Sequence, residues 1–167
     1  AGAIWRYFRG ELRRIVGGIT IPNAICFDPE GRHAWWTDTE EGIVRRQPLR
    51  EADGWPVGEA EAALDFRAEG LNPDGAVTDA EGNLWIAFWG AGRVAGFAPD
   101  GTRLEEFRVP ASQSTCPAWG GEGFSTLFVT SAAAGLTQEE LTEAPESGRT
   151  FAVATGRRGR AEPPVAL

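Results

Sequence analysis

Asn23 and Asp74 are the residues of this chain whose types and positions best suit chemistry. Each follows a proline at the entrance to a short apolar stretch, in "PNAICF" and "PDGAVT". A polar side chain at such a place adds little to packing and has low strand propensity. A lone Pro-Asn would be an ordinary turn dipeptide. Two equivalent positions in one chain read differently. An amide oxygen and a carboxylate are hard donors that suit a divalent cation. A carboxylate beside such a cation can also accept a proton from water.

The equivalence rests on an internal repeat. "PNAICFDPEG" (Pro22 to Gly31) aligns without a gap on "PDGAVTDAEG" (Pro73 to Gly82), 51 residues on, with four of ten positions identical. Asn23 then falls on Asp74. A weaker third copy, "STCPAWGGEG" (Ser114 to Gly123), puts Thr115 at the same place. Each copy continues through a turn into an aromatic-rich strand, "HAWWTDT", "LWIAFWG" or "TLFVTSA", and then a third strand, "GIVRRQPL", "GRVAGFAP" or "GRTFAV". "ALDFRAE" and "RLEEFRVP" read as fourth strands.

Four short antiparallel strands recurring every ~40–50 residues are the pattern of a β-propeller blade. A β-sandwich does not repeat its turn sequence at that period. The expected fold is therefore all-β, with approximate blades at 19–66, 67–110 and 111–154 and residues 1–18 ending a preceding blade. The tail 155–167 is expected as a closing outer strand or a disordered end, since Pro163-Pro164 suits either. "GLTQEELTEAPES" predicts one short surface helix in the last blade, with Thr137 and Glu140 at capping-box spacing. In a propeller the first strand of each blade lines the central channel. Asn23, Asp74 and Thr115 are accordingly candidate channel-lining residues, the first two as metal ligands.

Other polar and aromatic residues have simpler readings. Asp28-Pro-Glu-Gly and Asp79-Ala-Glu-Gly have the form of turns whose Asp caps backbone N–H groups. Trp35, Trp36, Trp85 and Trp119 read as blade packing, and so do Phe88 and Trp89. His33 is assigned no role. Cys26 and Cys116 read as buried free thiols.

Composition narrows the chemistry further. The chain has 167 residues, 42% of them hydrophobic, and a net charge of −8. That charge argues against nucleic acid or an anionic membrane as partner, and no apolar run approaches the ~20 residues of a membrane span. All 16 basic residues are Arg, which excludes Schiff-base chemistry and a P-loop lysine. A single His excludes a multi-histidine metal site and leaves little room for a Ser-His-Asp triad. Arg in place of Lys, with abundant Ala, Gly and Pro, fits a GC-rich bacterial genome, and two unpaired cysteines fit a cytoplasmic setting.

On "IPNAICFDPEGRHAWWTDT", "NPDGAVTDAEGNLWIAFWGAGRV" and "STCPAWGGEGFSTLFVTSA", in that order, the chain resembles the gluconolactonase/regucalcin (senescence marker protein) family. The resemblance runs from near the first residue to about Val153. It implies a six-bladed propeller whose axial divalent metal is held by a Glu, an Asn and an Asp, and an enzyme that hydrolyses sugar lactones and related esters. The family's Asn corresponds to Asn23 and its Asp to Asp74, which is also the favoured base. The metal could be Ca²⁺, Zn²⁺, Mn²⁺, Mg²⁺ or Fe²⁺. Six blades need roughly twice this length. The opening "AIWRYF-RG-ELRRIV" matches only the third and fourth strands of a blade, so the Glu ligand and most sugar contacts are expected outside this chain. Three situations follow: the C-terminal half of a longer lactonase; a half-propeller pairing with a second copy or with a separate N-terminal half; and a non-catalytic half-propeller that binds a divalent cation or a partner chain.

Overall fold

The computed structural model describes residues 2–164, so residue 1 and the last three residues of the expected tail lie outside the described residues. Thirteen strands form four antiparallel sheets. Strands β1 (Gly2–Phe8) and β2 (Glu11–Ile19) make a hairpin. Its turn, Arg9-Gly10, has positive φ at both residues, the twist that a two-residue hairpin favours. Strands β3 (Pro22–Phe27), β4 (His33–Asp38), β5 (Ile43–Pro48) and β6 (Glu61–Asp65) form a four-stranded meander. Strands β7 (Asn72–Thr78), β8 (Leu84–Trp89), β9 (Arg93–Phe97) and β10 (Arg103–Arg108) form a second. Strands β11 (Ser114–Gly120), β12 (Thr126–Ser131) and β13 (Thr150–Ala154) form a three-stranded sheet. The first strands of these sheets pack side by side, β3 on β7 and β7 on β11, as the inner strands of propeller blades do. The architecture is all-β and of the β-propeller type, with too few blades to close a ring.

Strand β8 shows why the blades stack. All of "LWIAFW" up to Phe88 is buried, because both faces of this strand meet a neighbouring blade. Leu84, Ile86 and Phe88 point into the core shared with the first four-stranded sheet, among Ala24, Cys26, Trp35 and Phe66. Trp85 and Ala87 point the other way, against Trp119, Leu127 and Val129 of the three-stranded sheet. Period-two alternation thus builds two cores from one strand, and each fully buried large apolar side chain contributes about 2 kcal/mol. Cys26 lies in the first core, and burial pushes its thiol pKa upward.

Helix α1 (Gln138–Glu143) sits where the sequence places it. Its cap, Thr137, accepts from Glu140 N, and the Glu140 carboxylate returns the bond to Thr137 N. The hairpin is tied to the first four-stranded sheet through Arg6, whose guanidinium lies 4.5 Å from the Phe8 ring and 4.3 Å from that of Trp55.

Over residues 155–164 the tail forms no strand. It crosses the ends of the three inner strands. Arg158 O accepts from Ala80 N at 2.9 Å, Gly159 N donates to Phe124 O at 2.8 Å, and Arg160 donates to Phe27 O at 3.0 Å. Gly159 is required there, since a Cβ would fall 2.0 Å from Trp119. These contacts satisfy backbone groups at or just past the ends of β3, β7 and β11.

Candidate metal centre and active site

Each inner strand is interrupted near its start. The pairing of β3 with β4 slips between Asn23 and Cys26, that of β7 with β8 between Pro73 and Ala76, and that of β11 with β12 between Ser114 and Cys116. One extra residue on the inner strand makes each of these a bulge, a device that re-aims side chains. Asn23 is the last paired residue before its bulge, opposite Thr37, whereas Asp74 lies inside its own. Ala24, directly after Asn23, has φ +56 while 2% exposed, so the backbone is held in a left-handed conformation costly for a non-glycine residue.

The Asn23 side chain is fixed by one hydrogen bond. Nδ2 donates to Thr39 Oγ1 at 3.0 Å, and Thr39 Oγ1 donates to Pro73 O at 2.8 Å. The amide nitrogen is thereby committed, which leaves Oδ1 as the end available to a cation. Thr39 is in turn held by the turn it opens. The adjacent Asp38 carboxylate accepts from Thr20 N at 2.6 Å and Ile21 N at 2.9 Å, and Thr39 N donates to Ile21 O at 3.0 Å. Burial pushes the Asp38 carboxyl up, but these backbone N–H groups outweigh it and keep the group below the usual carboxylate range.

Asp74 is in the opposite condition. Its half-buried carboxyl is pushed up to about 6 by burial, offset only in part by the Gly75 N–H. Among the described residues no guanidinium or side-chain donor compensates it. Gly75 permits the close approach of β7 and β11 at this point, because a Cβ would come within 2.7 Å of Thr115 O and 2.6 Å of Cys116 Sγ. Cys116 is exposed, contrary to expectation, whereas Ala24 at the matching place in the first repeat is 2% exposed; among the described residues β11 has an inner strand, β7, on one side only. The thiol itself lies against Gly75, and this local desolvation and the nearby Asp74 charge raise its pKa.

The structure therefore brings Asn23 and the Asp74 segment together through Thr39 and Pro73, and sets Thr115 against Gly75. The Thr115 hydroxyl is engaged elsewhere, 2.6 Å from Thr130 Oγ1. The turn acids behave as caps: Asp79 accepts from Glu81 N, Asn83 N, Asn83 Nδ2 and Trp85 Nε1, and Asp28 from Arg32 N, with His33 Nδ1 at 2.8 Å. Thr39 and Gly75 carried no weight in the sequence reading. A glycine inside a strand was the available signal for the second.

Two oxygen donors, one of them an uncompensated carboxylate, fit a hard divalent cation. Among the described residues no three His, Cys, Asp or Glu side chains cluster to hold a metal, so these two donors make a partial ligand set.

A family model, that of the SMP-30/Gluconolactonase/LRE-like region, matches residues 1–133. The chain belongs to this family. Within the SMP-30/gluconolactonase/LRE-like group, it is 35% identical over 176 residues to 6-deoxy-6-sulfogluconolactonase of Pseudomonas putida, covering 98% of this chain and 60% of that protein. It is 36% identical over 145 residues to L-arabinolactonase of Azospirillum brasilense, covering 84% and 46%. Among solved structures it superposes on regucalcin of Agrobacterium tumefaciens str. C58, a calcium-binding protein, with a TM-score of 0.95 at 38% identity, covering 99% and 56%. The chain spans about half the length of the curated relatives it matches.

Proposed function

We propose that this chain carries the Asn and Asp of a divalent-metal centre that hydrolyses sugar lactones, as part of a complete propeller. The observation that carries the reading is Asp74, a half-buried carboxylate without a compensating cation at the mouth of the inner strands. The lactonases among the relatives support the substrate class, and the calcium-binding regucalcin supports a divalent ion.

Asn23 Oδ1 and the Asp74 carboxylate would hold the ion. When bound, the ion supplies polarisation of the lactone carbonyl and acidifies water near it. Asn23 contributes a neutral oxygen, so the centre keeps positive charge for the oxyanion that develops on the carbonyl. Asp74 would take the proton that water loses as it attacks. The proton then passes to the departing ring oxygen of the lactone.

A second reading, a cation- or partner-binding half-propeller without turnover, is favoured by one observation. Trp5, Tyr7 and Leu12 of the β1–β2 hairpin are more than half exposed, at 57%, 56% and 62%. Such an apolar surface suits a partner chain laid against the hairpin.

One assay tests both readings: hydrolysis of aldonolactones by the chain with and without added Ca²⁺, Mn²⁺ or Zn²⁺, and with a segment supplying the remaining blades. Metal-dependent turnover is expected with that segment present. Asp74→Asn should lower kcat by about a thousandfold or more while leaving the circular dichroism unchanged. A fully active Asp74→Asn variant sinks the catalytic assignment. Metal binding without turnover under every condition favours the second reading.

A further inference from the structure

We propose that Thr39 is a positioning residue that selects which end of the Asn23 amide faces the candidate metal centre. The inference rests on Asn23 being a ligand and extends that reading to a residue outside the ligand set.

The argument is one of hydrogen-bond polarity. A peptide carbonyl only accepts, so Thr39 Oγ1 must spend its single proton on Pro73 O, 2.8 Å away. The hydroxyl can then offer Asn23 only a lone pair. It therefore demands an N–H from the amide, and the contact is Asn23 Nδ2 to Thr39 Oγ1 at 3.0 Å. The two ends of an Asn side chain are nearly the same shape, so packing alone does not choose between them. Only the oxygen end can ligate a cation. A flipped amide would present two N–H groups to the ion and set its oxygen against the Thr39 lone pairs.

The acceptor at the other end of the relay adds to the argument. Pro73 immediately precedes Asp74, so one hydroxyl orients the first donor and also anchors the segment that carries the second. Thr39 is itself immobilised. It is only 9% exposed, its N–H is bonded to Ile21 O, and the Asp38 carboxylate caps the turn it opens. The matching position of the second repeat is Trp89, which has no hydroxyl, so the device belongs to the blade that carries an amide.

The test is Mn²⁺ titration of the chain together with the segment supplying the remaining blades, followed by electron paramagnetic resonance, with folding checked by circular dichroism. Thr39→Val is isosteric but lacks the hydroxyl, and it should weaken Mn²⁺ binding about tenfold or more. Thr39→Ser should restore binding to within about threefold of the parent chain. Asn23→Asp makes both ends of the side chain oxygen, so adding Thr39→Val to Asn23→Asp should cost almost nothing. That loss of coupling separates end selection from simple packing, which would weaken both backgrounds equally. Parent-like binding by Thr39→Val, together with loss of binding in Asn23→Ala, overturns the inference and leaves the ligand reading standing. A parent chain that binds no Mn²⁺ even with that segment present, or an Asn23→Ala variant that binds like the parent, overturns the ligand reading and this inference with it.

Discussion

Strands β3 and β7 lead into capping acids, Asp28 and Asp79, and β7 also carries an acid near its start, Asp74; the two ends treat them in opposite ways. Asp79 follows the far end of β7, is 1% exposed, and spends its carboxylate on two backbone N–H groups, the Asn83 amide and the Trp85 indole. Asp74, five residues earlier in the same repeat, has only the Gly75 N–H to set against its burial. The more deeply buried acid is the structural one. Burial therefore does not set the two acids apart; compensation does.

The largest effect should come from breaking the satisfied end. Asp79→Ala strands Glu81 N, Asn83 N and the Trp85 indole, while Asn83 Nδ2 keeps Glu81 as acceptor, and is expected to cost about 3–4 kcal/mol in urea unfolding. A loss below about 1 kcal/mol would mean that water replaces the carboxylate, and the contrast between the two ends would collapse.

Asp74 should respond with the opposite sign. A carboxyl whose folded-state pKa is raised opposes folding when ionised, so in EDTA the chain should gain stability as the pH falls from 7 through 6 towards 4. Asp74→Asn removes that opposition and should stabilise the metal-free chain at pH 7 by about 1 kcal/mol, after discounting the shift for solvent screening. Parent and variant should converge near pH 4. A destabilised Asp74→Asn in EDTA at pH 7 would place Asp74 among the structural acids.

The same contrast explains what the sequence made legible. Asp-x-x-Gly turns, aromatic second strands and the Thr137 capping box are local, so the repeat, the strand order and α1 could be read directly. Asn23 and Asp74 stood out because a strand entrance has no packing use for them. Thr39 did not, because its meaning depends on a carbonyl 34 residues away. The exposure of Cys116 was not legible either, because it holds the same repeat position as the buried Ala24 and differs in lying on the last inner strand among the described residues. The path of the tail was not legible because its partners are backbone groups at 27, 80 and 124, near the ends of three different inner strands, and no local pattern announces it.

Asp28 gives the smallest and most discriminating test, since it caps a turn with less burial than Asp79. Its side chain is 13% exposed and accepts from Arg32 N at 2.6 Å, with His33 Nδ1 2.8 Å away. Burial raises its carboxyl, but the His33 and Arg32 contacts outweigh this and hold it below the usual range. A lowered pKa contributes stability above the unfolded value of about 3.9 and loses it as the pH falls through the folded value. Asp28→Ala should therefore cost about 0.5–1 kcal/mol at pH 7 and nearly nothing at the acid end of the chain's stable range. Its deficit shrinks over pH values at and below about 4, whereas the Asp74→Asn advantage shrinks between about 6 and 4. Urea midpoints of the parent and both variants across pH 3 to 7 resolve the two windows in one series. If the Asp28→Ala deficit instead persisted unchanged at low pH, its cap would be acting through shape rather than charge, and compensation would no longer distinguish the two ends.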